Sequence, residues 1–424
     1  MCKGEQKHLT RGIVTVWLLS HLAFAQSPAT REAQIEAARE AKAKTVKPEE
    51  VGKAENFLRN FKDQKWLERL GQGYNGLRPK IGNMVTGGGF AVGPEYFRED
   101  LAGGNLHARV AAQVSTRAFQ KYEAEARLPR LANGKVDLDF LAVHRNYASI
   151  NYYGPGPNSR KEGRSAYRLE DTNFDAILGI TPVKGVKFGA SSGLLYVNVG
   201  PGNDNRFVSS ELIYSPQISP GIDVQTNFRR ASVFGQIDYR DNPIGAKSGG
   251  NYVVEHSWFH DSDLKRFSFR RLDIDLEQHL PFLNKTRRIV LRAKGAFTDT
   301  NRTNQVPFYL QPIVGGSDDV RGYRFFRFSD RNAVVYNAEY RWEIFSGLDG
   351  ALFFDAGKVM PHKGHLAFSQ LETSYGFGFR ANARNATFLR VDVGFSQEGF
   401  QVWFKFNDLL NPRRFGTARM QPIN

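Results

Sequence analysis

From about residue 84 to about residue 406 the chain keeps one hydropathy period, and that period is two. In VDLDFLAVHRN, Val136, Leu138, Phe140 and Ala142 share one face, and Asp137 and Asp139 share the other. RRLDIDLEQHL opposes Leu272, Ile274 and Leu276 to Arg271, Asp273, Asp275 and Glu277. FLRVDVGFS and FQVWFKF repeat the pattern with Leu389, Val391, Val393 and Phe395, then Phe400, Val402, Phe404 and Phe406. A period of two is that of a β-strand, whose side chains alternate between faces.

Soluble sandwiches also alternate, so the alternation alone leaves two architectures. The segments here run about 10 to 15 residues, well beyond the usual strand of about 5 to 6. Their polar faces carry charges of both signs, which neighbouring strands can pair inside a lumen. Short turns such as ANGK (132–135) and LNKT (283–286) alternate with long Gly-, Asn- and Pro-rich connections, among them NYYGPGPNSRKEGRS, GPGNDN and the span of about 299–331. Together these features predict an all-β fold, a transmembrane antiparallel β-barrel of about sixteen strands. About ten candidate strands precede GGSDDVRGYRFFRF (315–328) and five come after it; FVSSELIY is the candidate for a further strand. Composition agrees, with 41 Gly, 33 Phe and 13% aromatic residues. No segment after the N-terminal stretch holds 18 consecutive apolar residues, which excludes a helical membrane protein, and a mean hydropathy of −0.45 is compatible with strands that face lipid on one side only.

Residues 1–25 read as a signal peptide: Lys3, Lys7 and Arg11 precede the apolar GIVTVWLLSHLAF, and Ala23-Phe24-Ala25 forms an A-x-A cleavage site. An apolar core of about 13 residues is short of the roughly 20 that a spanning helix needs. Cys2 lies ahead of that core, so the exported chain is expected to have no cysteine, and hence no disulfide or thiolate chemistry. Formal net charge is +15. Such a balance suits anionic lipid or an electropositive lumen, and export makes nucleic acid the least favoured partner. Residues 26–80 lack the period of two and read as two helices in a periplasmic or plug segment. Thr30 is a candidate N-cap and Pro48 opens the second helix, whose apolar stripe includes Phe57, Phe61, Trp66 and Leu70. A partly disordered linker is the other reading. Residues 408–424 form a polar C-terminal tail beyond the barrel, 81–407.

Val320-Arg321-Gly322-Tyr323 looks like the VRG(F/Y) signature of the BamA/TamA superfamily of outer-membrane barrels, the bacterial surface antigen family. Phe353-Phe354-Asp355-Ala356-Gly357 resembles the family's F-x-D-x-G strand, and NAVVYNAEYRWEIF resembles the strand bearing its loop-facing glutamate, here Glu339. Tyr153-Gly154-Pro155-Gly156 and Tyr239-Arg240-Asp241-Asn242-Pro243 are weaker echoes. The resemblance implies a loop, about 299–331, folded into the lumen with Arg321 at its tip. Strand parity agrees: Asn337, Glu339, Arg341 and Glu343 share one face, and Phe353 shares its face with Asp355. Adjacent strands lie about 4.8 Å apart, so the two carboxylates can converge on one guanidinium. Gly322 is expected to permit a sharp turn, and Gly315-Gly316 to let the loop re-enter the lumen. Gly357 completes the strand motif.

The resemblance further implies a seam between the first and last strands, which the sequence reading places at Gly87-Gly88-Gly89 and Trp403; a flexible strand start is the alternative. Family members also carry periplasmic polypeptide-transport-associated domains, and the segment ahead of this barrel does not read as one. The pairs His256/His260 and His362/His365 lack a nearby third ligand, and Asp241 and Asp261/Asp263 read as solvated loop acids. Gly87-Gly88-Gly89 is followed by neither a helix nor a Lys-Ser/Thr pair and so is no phosphate loop, and neither catalytic residue nor metal nor cofactor is expected. The expectation is a monomeric barrel of the bacterial outer membrane that aids protein insertion or translocation. Its partners would be membrane lipids, with lipopolysaccharide a candidate, and client outer-membrane proteins. A passive channel with a basic lumen and a membrane anchor or interaction barrel are the alternatives.

Overall fold

The computed structural model describes residues 35, 37–42 and 74–406, apart from 83, 86, 244, 284, 346, 384 and 385. Within the first compact unit, Met1–Asn56, residues 37–42 are helical and exposed. The leader, the second expected helix and the C-terminal tail lie outside the described residues.

The second unit is one antiparallel sheet of sixteen strands in chain order. Its first part is β1 (Leu77–Gly82), β2 (Ala91–Leu101), β3 (Leu106–Ser115), β4 (Gln120–Leu131), β5 (Val136–Tyr152), β6 (Ser165–Val183), β7 (Val186–Pro201), β8 (Phe228–Asp238), β9 (Gly249–Asp261), β10 (Phe269–Phe282) and β11 (Arg287–Asp299). Within the long connection after β11, β12 (Ile313–Val314) and β13 (Phe328–Ser329) pair only with each other. The sheet resumes with β14 (Asn332–Phe345), β15 (Leu348–Met360), β16 (Glu372–Ala383), β17 (Ala386–Ser396) and β18 (Gly399–Phe406). The ring is nearly closed: β1 and β18 lie beside one another, with no ladder between them in the strand order.

Two expectations are corrected. The first strand begins at Leu77, inside the stretch read as helical, and Gly87–Gly89 lie in the connection between β1 and β2 and not in a strand. FVSSELIY adds no strand; it holds a one-turn helix, Ser210–Ile213, because two polar residues followed by two apolar ones lack the alternation that a paired strand requires.

Every second side chain of the strands points away from the barrel axis and stays uncovered. Leu352 and Phe354 are each 52% exposed, and Val110, Phe140, Phe174, Phe188, Phe379 and Val402 are likewise exposed. No soluble fold leaves so continuous an apolar belt open to water; a bilayer covers it. Aromatic side chains pair across this outer face, as Phe174 with Tyr196 and Tyr340 with Trp342. No helix among the described residues is long and apolar enough to cross a membrane.

Inside, polar wall and apolar plug divide the space. Buried ion pairs join neighbouring strands, as Arg78 to Glu95 and Arg145 to Asp171, and another reaches past β7 from Arg230 on β8 to Asp175 on β6. Toward the rim with the long connections (153–164, 202–227, 300–331 and 361–371), the inserted loop supplies Val306, Phe308, Tyr309 and Leu310 to a buried cluster with Tyr152, Tyr167, Leu169, Leu195, Phe228 and Phe259. A smaller cluster packs Val314, Val320, Tyr323 and Phe328 against Ala333, Val335 and Val359 of β14 and β15. The chain thus fills its own lumen at that end.

Candidate functional site: the fastened loop tip

The loop re-enters through Gly315 and Gly316, whose φ angles of 119° and 101° favour glycine. A Cβ on Gly315 would come within 2.5 Å of the Arg324 carbonyl oxygen. This turn delivers Arg321 to the wall formed by β14 and β15, where Asn337 faces Asp355 and Glu339 faces Phe353 across the ladder.

Each nitrogen of the Arg321 guanidinium donates a hydrogen bond. Nε and Nη2 donate to Asp355 Oδ2 and Oδ1 at 2.9 and 2.7 Å, and Nη1 donates to Glu339 Oε2 at 2.7 Å. Its backbone N–H donates to Asp355 Oδ2 at 3.1 Å, and its guanidinium carbon lies 3.4 Å from the centroid of the Phe353 ring. Residue and carboxylates are buried, Asp355 completely. A charge so placed is costly unless paired and hydrogen-bonded on every side, and here that condition is met. Asn337 Nδ2 and Ser374 Oγ also donate to Asp355, at 2.8 and 3.2 Å.

The fastening extends beyond the pair that the sequence singled out. Arg380 on β16 donates from Nη2 to Glu339 Oε1 at 2.9 Å and from Nη1 to Asp392 Oδ1 of β17 at 2.6 Å, and Arg341 Nε reaches Glu339 at 2.6 Å. Asp392 Oδ2 in turn lies 3.8 Å from Arg321 Nη1. Arg390 of β17 and Lys405 of β18 both pair with Asp318, and Lys294 of β11 pairs with Asp319 at 3.3 Å. Six consecutive strands, from β11 to β18 along the sheet, therefore grip one loop tip. Arg380, Asp392, Asn337, Ser374 and Lys405 carry no motif signature; the inward parity of their strands was the signal that could have found them.

Trp403 is on the last strand, as expected, but its indole points into the lumen and Nε1 donates to the Arg321 carbonyl oxygen at 2.7 Å. On the neighbouring strand Ser396 Oγ donates to the Gly322 carbonyl at 2.9 Å. The edge strand at the gap is thus tied to the tip. The Gly87–Gly89 half of the expected seam takes no part in it; Gly87 sits against Phe325 of the inserted loop, and β1 supplies the other edge.

The expected turn at Gly322 is present, closed by the Tyr323 N–H donating to the Val320 carbonyl at 3.1 Å, but the φ of Gly322 is not in the left-handed region. Close approach is the reason for glycine: an added Cβ would lie 2.7 Å from the Phe395 carbonyl oxygen and from the Cβ atoms of Ser374 and Ser396. Gly394 makes the matching space on β17, where a Cβ would stand 2.6 Å from the Arg321 carbonyl, and Gly357 gives room to Val320, whose Cγ2 would be 3.0 Å away. Tyr323 is buried and donates its hydroxyl to Glu372 at 2.5 Å, which anchors the returning limb. The charges of the site are matched to each other, while Asn337 Oδ1 and Asp392 Oδ2 accept no hydrogen bond among the described residues; its chemistry is to hold a loop, and the His362 and His365 rings, 5.6 Å apart, stand away from it in the 361–371 connection.

A comparison with family models matches the Omp85 superfamily domain over residues 100–406. No curated protein matches. Among solved structures, BamA from Haemophilus ducreyi lacking POTRA domains 1–3 superposes with a TM-score of 0.59 at 13% identity, covering 78% of this chain and 70% of that one. CdiB from Escherichia coli gives 0.52 at 12% identity, covering 78% and 62%, so this chain spans less than two thirds of that structure. At these identities the likeness is one of fold.

Proposed function

Because this chain belongs to the Omp85 superfamily, whose domain it carries across residues 100–406, we propose that it resides in the bacterial outer membrane and aids insertion or translocation of polypeptides there. The observation that carries this reading is the tie between the loop tip and the edge strand. Trp403 and Lys405 of β18 bind Arg321 and Asp318, while β18 has no ladder to β1. Edge strands offer unpaired N–H and C=O groups to any incoming strand. A polypeptide client would pair there, and the internal fastening would keep the remaining wall rigid while the gap widens. The work is mechanical, with no covalent step, and the surrounding lipids and the client are the partners.

A passive basic-lumen channel suits the charge of the chain but is opposed by the apolar plug of Val306, Phe308, Tyr309 and Leu310 in the lumen. Single-channel conductance of the full-length protein, with and without residues 26–70, separates the two readings. The assembly reading predicts a tight barrel; large steady currents from the intact protein would favour the channel. Depletion in the native host, then an outer-membrane proteome, tests the role itself: loss of barrel proteins is expected, and an unchanged proteome would refute it.

A further inference from the structure

At the rim with the long connections, arginines from three connections gather with too few carboxylates. Tyr153, which opens the 153–164 connection, is buried, and its hydroxyl makes no hydrogen bond of ordinary geometry among the described residues, with Arg324 the side chain that acts on it most directly as a donor. Arg327 of the inserted loop lies 4.9 Å from its ring centroid, and the charges of Arg164 and Arg324 act on the same phenol. Arg327 is compensated, since Nε and Nη2 both reach Glu398 Oε1 at 2.7 Å and Nη2 also donates to the Ser159 carbonyl. Arg164 and Arg324 are not.

Arg164 donates Nε and Nη2 to one neutral acceptor, Asn151 Oδ1, at 3.1 and 2.9 Å, and its guanidinium lies 3.7 Å from the Phe207 centroid. Nη1 has no acceptor among the described residues. The nearby carboxylate of Asp204 is already taken by Arg206 through two contacts, at 2.8 and 2.7 Å. Arg324 has no carboxylate within ion-pair distance among the described residues, and it is half-buried. Burial pulls the Arg164 guanidinium below its ordinary value, and the charges of Arg324 and Arg206 add to that. Two permanently charged groups held near one another at a half-buried rim repel unless an anion joins them. Guanidinium forks fit phosphate oxygens, and two of them balance a dianion.

We propose that Arg164 and Arg324 form a binding site for a phosphate group at the barrel mouth, beside the Tyr153 hydroxyl. The group is either free inorganic phosphate or the phosphomonoester of a lipid headgroup. Full-length protein in detergent would be titrated calorimetrically with inorganic phosphate at constant ionic strength, alongside Arg164→Gln and Arg324→Gln. Each substitution is expected to weaken binding roughly tenfold or more, the value of a charge-assisted hydrogen bond. The titration is then repeated in phosphatidylcholine vesicles with and without phosphatidic acid. Competition by phosphatidic acid identifies the lipid as the source, and its absence identifies free phosphate. Melting supplies an independent check: phosphate should raise the midpoint of the wild type but not of Arg324→Gln, whose midpoint in phosphate-free buffer is at least that of the wild type. No phosphate binding, equal binding by both variants and the wild type, or an Arg324→Gln midpoint lowered equally in both buffers would overturn the proposal.

Discussion

Replacing Arg321 by Ala removes the cation from two buried carboxylates at once, yet the two losses are unequal. Glu339 keeps Arg380 and Arg341, at 2.9 and 2.6 Å, so its charge stays compensated. Asp355 keeps only neutral donors, Asn337, Ser374 and the backbone N–H of residue 321, and is left as a charge with no solvent exposure. Breaking a buried pair by removing one partner costs about 3–5 kcal/mol, and most of that cost here is assigned to Asp355. The Asp355→Asn variant should therefore be milder, because Arg321 still has Glu339 and nothing charged is orphaned. In the Arg321→Ala/Asp355→Asn double variant the orphaned charge disappears, so the losses fall short of additivity by about 1–3 kcal/mol. The assay is urea unfolding from detergent, with the heat-induced mobility shift on gels as a second readout. An Arg321→Ala barrel that unfolds like the wild type, or a double variant whose losses simply add, would refute the account of the fastening.

Gly322→Ala should loosen the tip by about 1–3 kcal/mol, since three wall atoms stand 2.7 Å from the new Cβ, whereas Gly364→Ala, with open space around it, should leave unfolding unchanged. Trp403→Phe deletes one hydrogen bond to the Arg321 carbonyl and should cost about 0.5–1.5 kcal/mol in the same assay, clearly less than Arg321→Ala. In the β8–β9 turn, burial pushes the Asp241 carboxyl up, but the amides of Lys247 and Ser248 outweigh it and hold the group at about 2, below its ordinary 3.8. A depressed value means the stabilisation is whole above pH 3.8 and lost as pH falls through 2. Hydrogen exchange at the Lys247 and Ser248 amides should accelerate across that window, and Asp241→Asn should remove the step.

Much of this architecture was legible because a barrel writes itself into sequence twice, in strand parity and in turn chemistry. The parity of Glu339 and Asp355 pointed both carboxylates inward, and the structure brings them onto Arg321. Parity fails at strand ends, where register stops constraining the chain. The six residues of β1 are too few for alternation to stand out, and Gly87–Gly89 resembled a weak strand while lying in a connection. Gly322 lies in the turn expected of it, but the reason for glycine there was not legible: sequence cannot tell a glycine chosen for its φ from one chosen because the Phe395 carbonyl stands in the way of a Cβ. Arg380 and Asp392 were missed because their role depends on which inward charges meet across several strands, and a single chain does not display that before its register is known.

Insertion or translocation at the gap between β1 and β18 is the central claim, and a reversible covalent tie across that gap tests it most directly. Cysteine pairs scanned between Leu77–Gly82 and Gly399–Phe406 can be read cleanly, since the sequence has a single natural cysteine, Cys2. Restoration of the outer-membrane proteome in depleted cells is the readout. The account predicts that an oxidised pair abolishes restoration and that a reductant returns it; full restoration with β1 and β18 held together would contradict it.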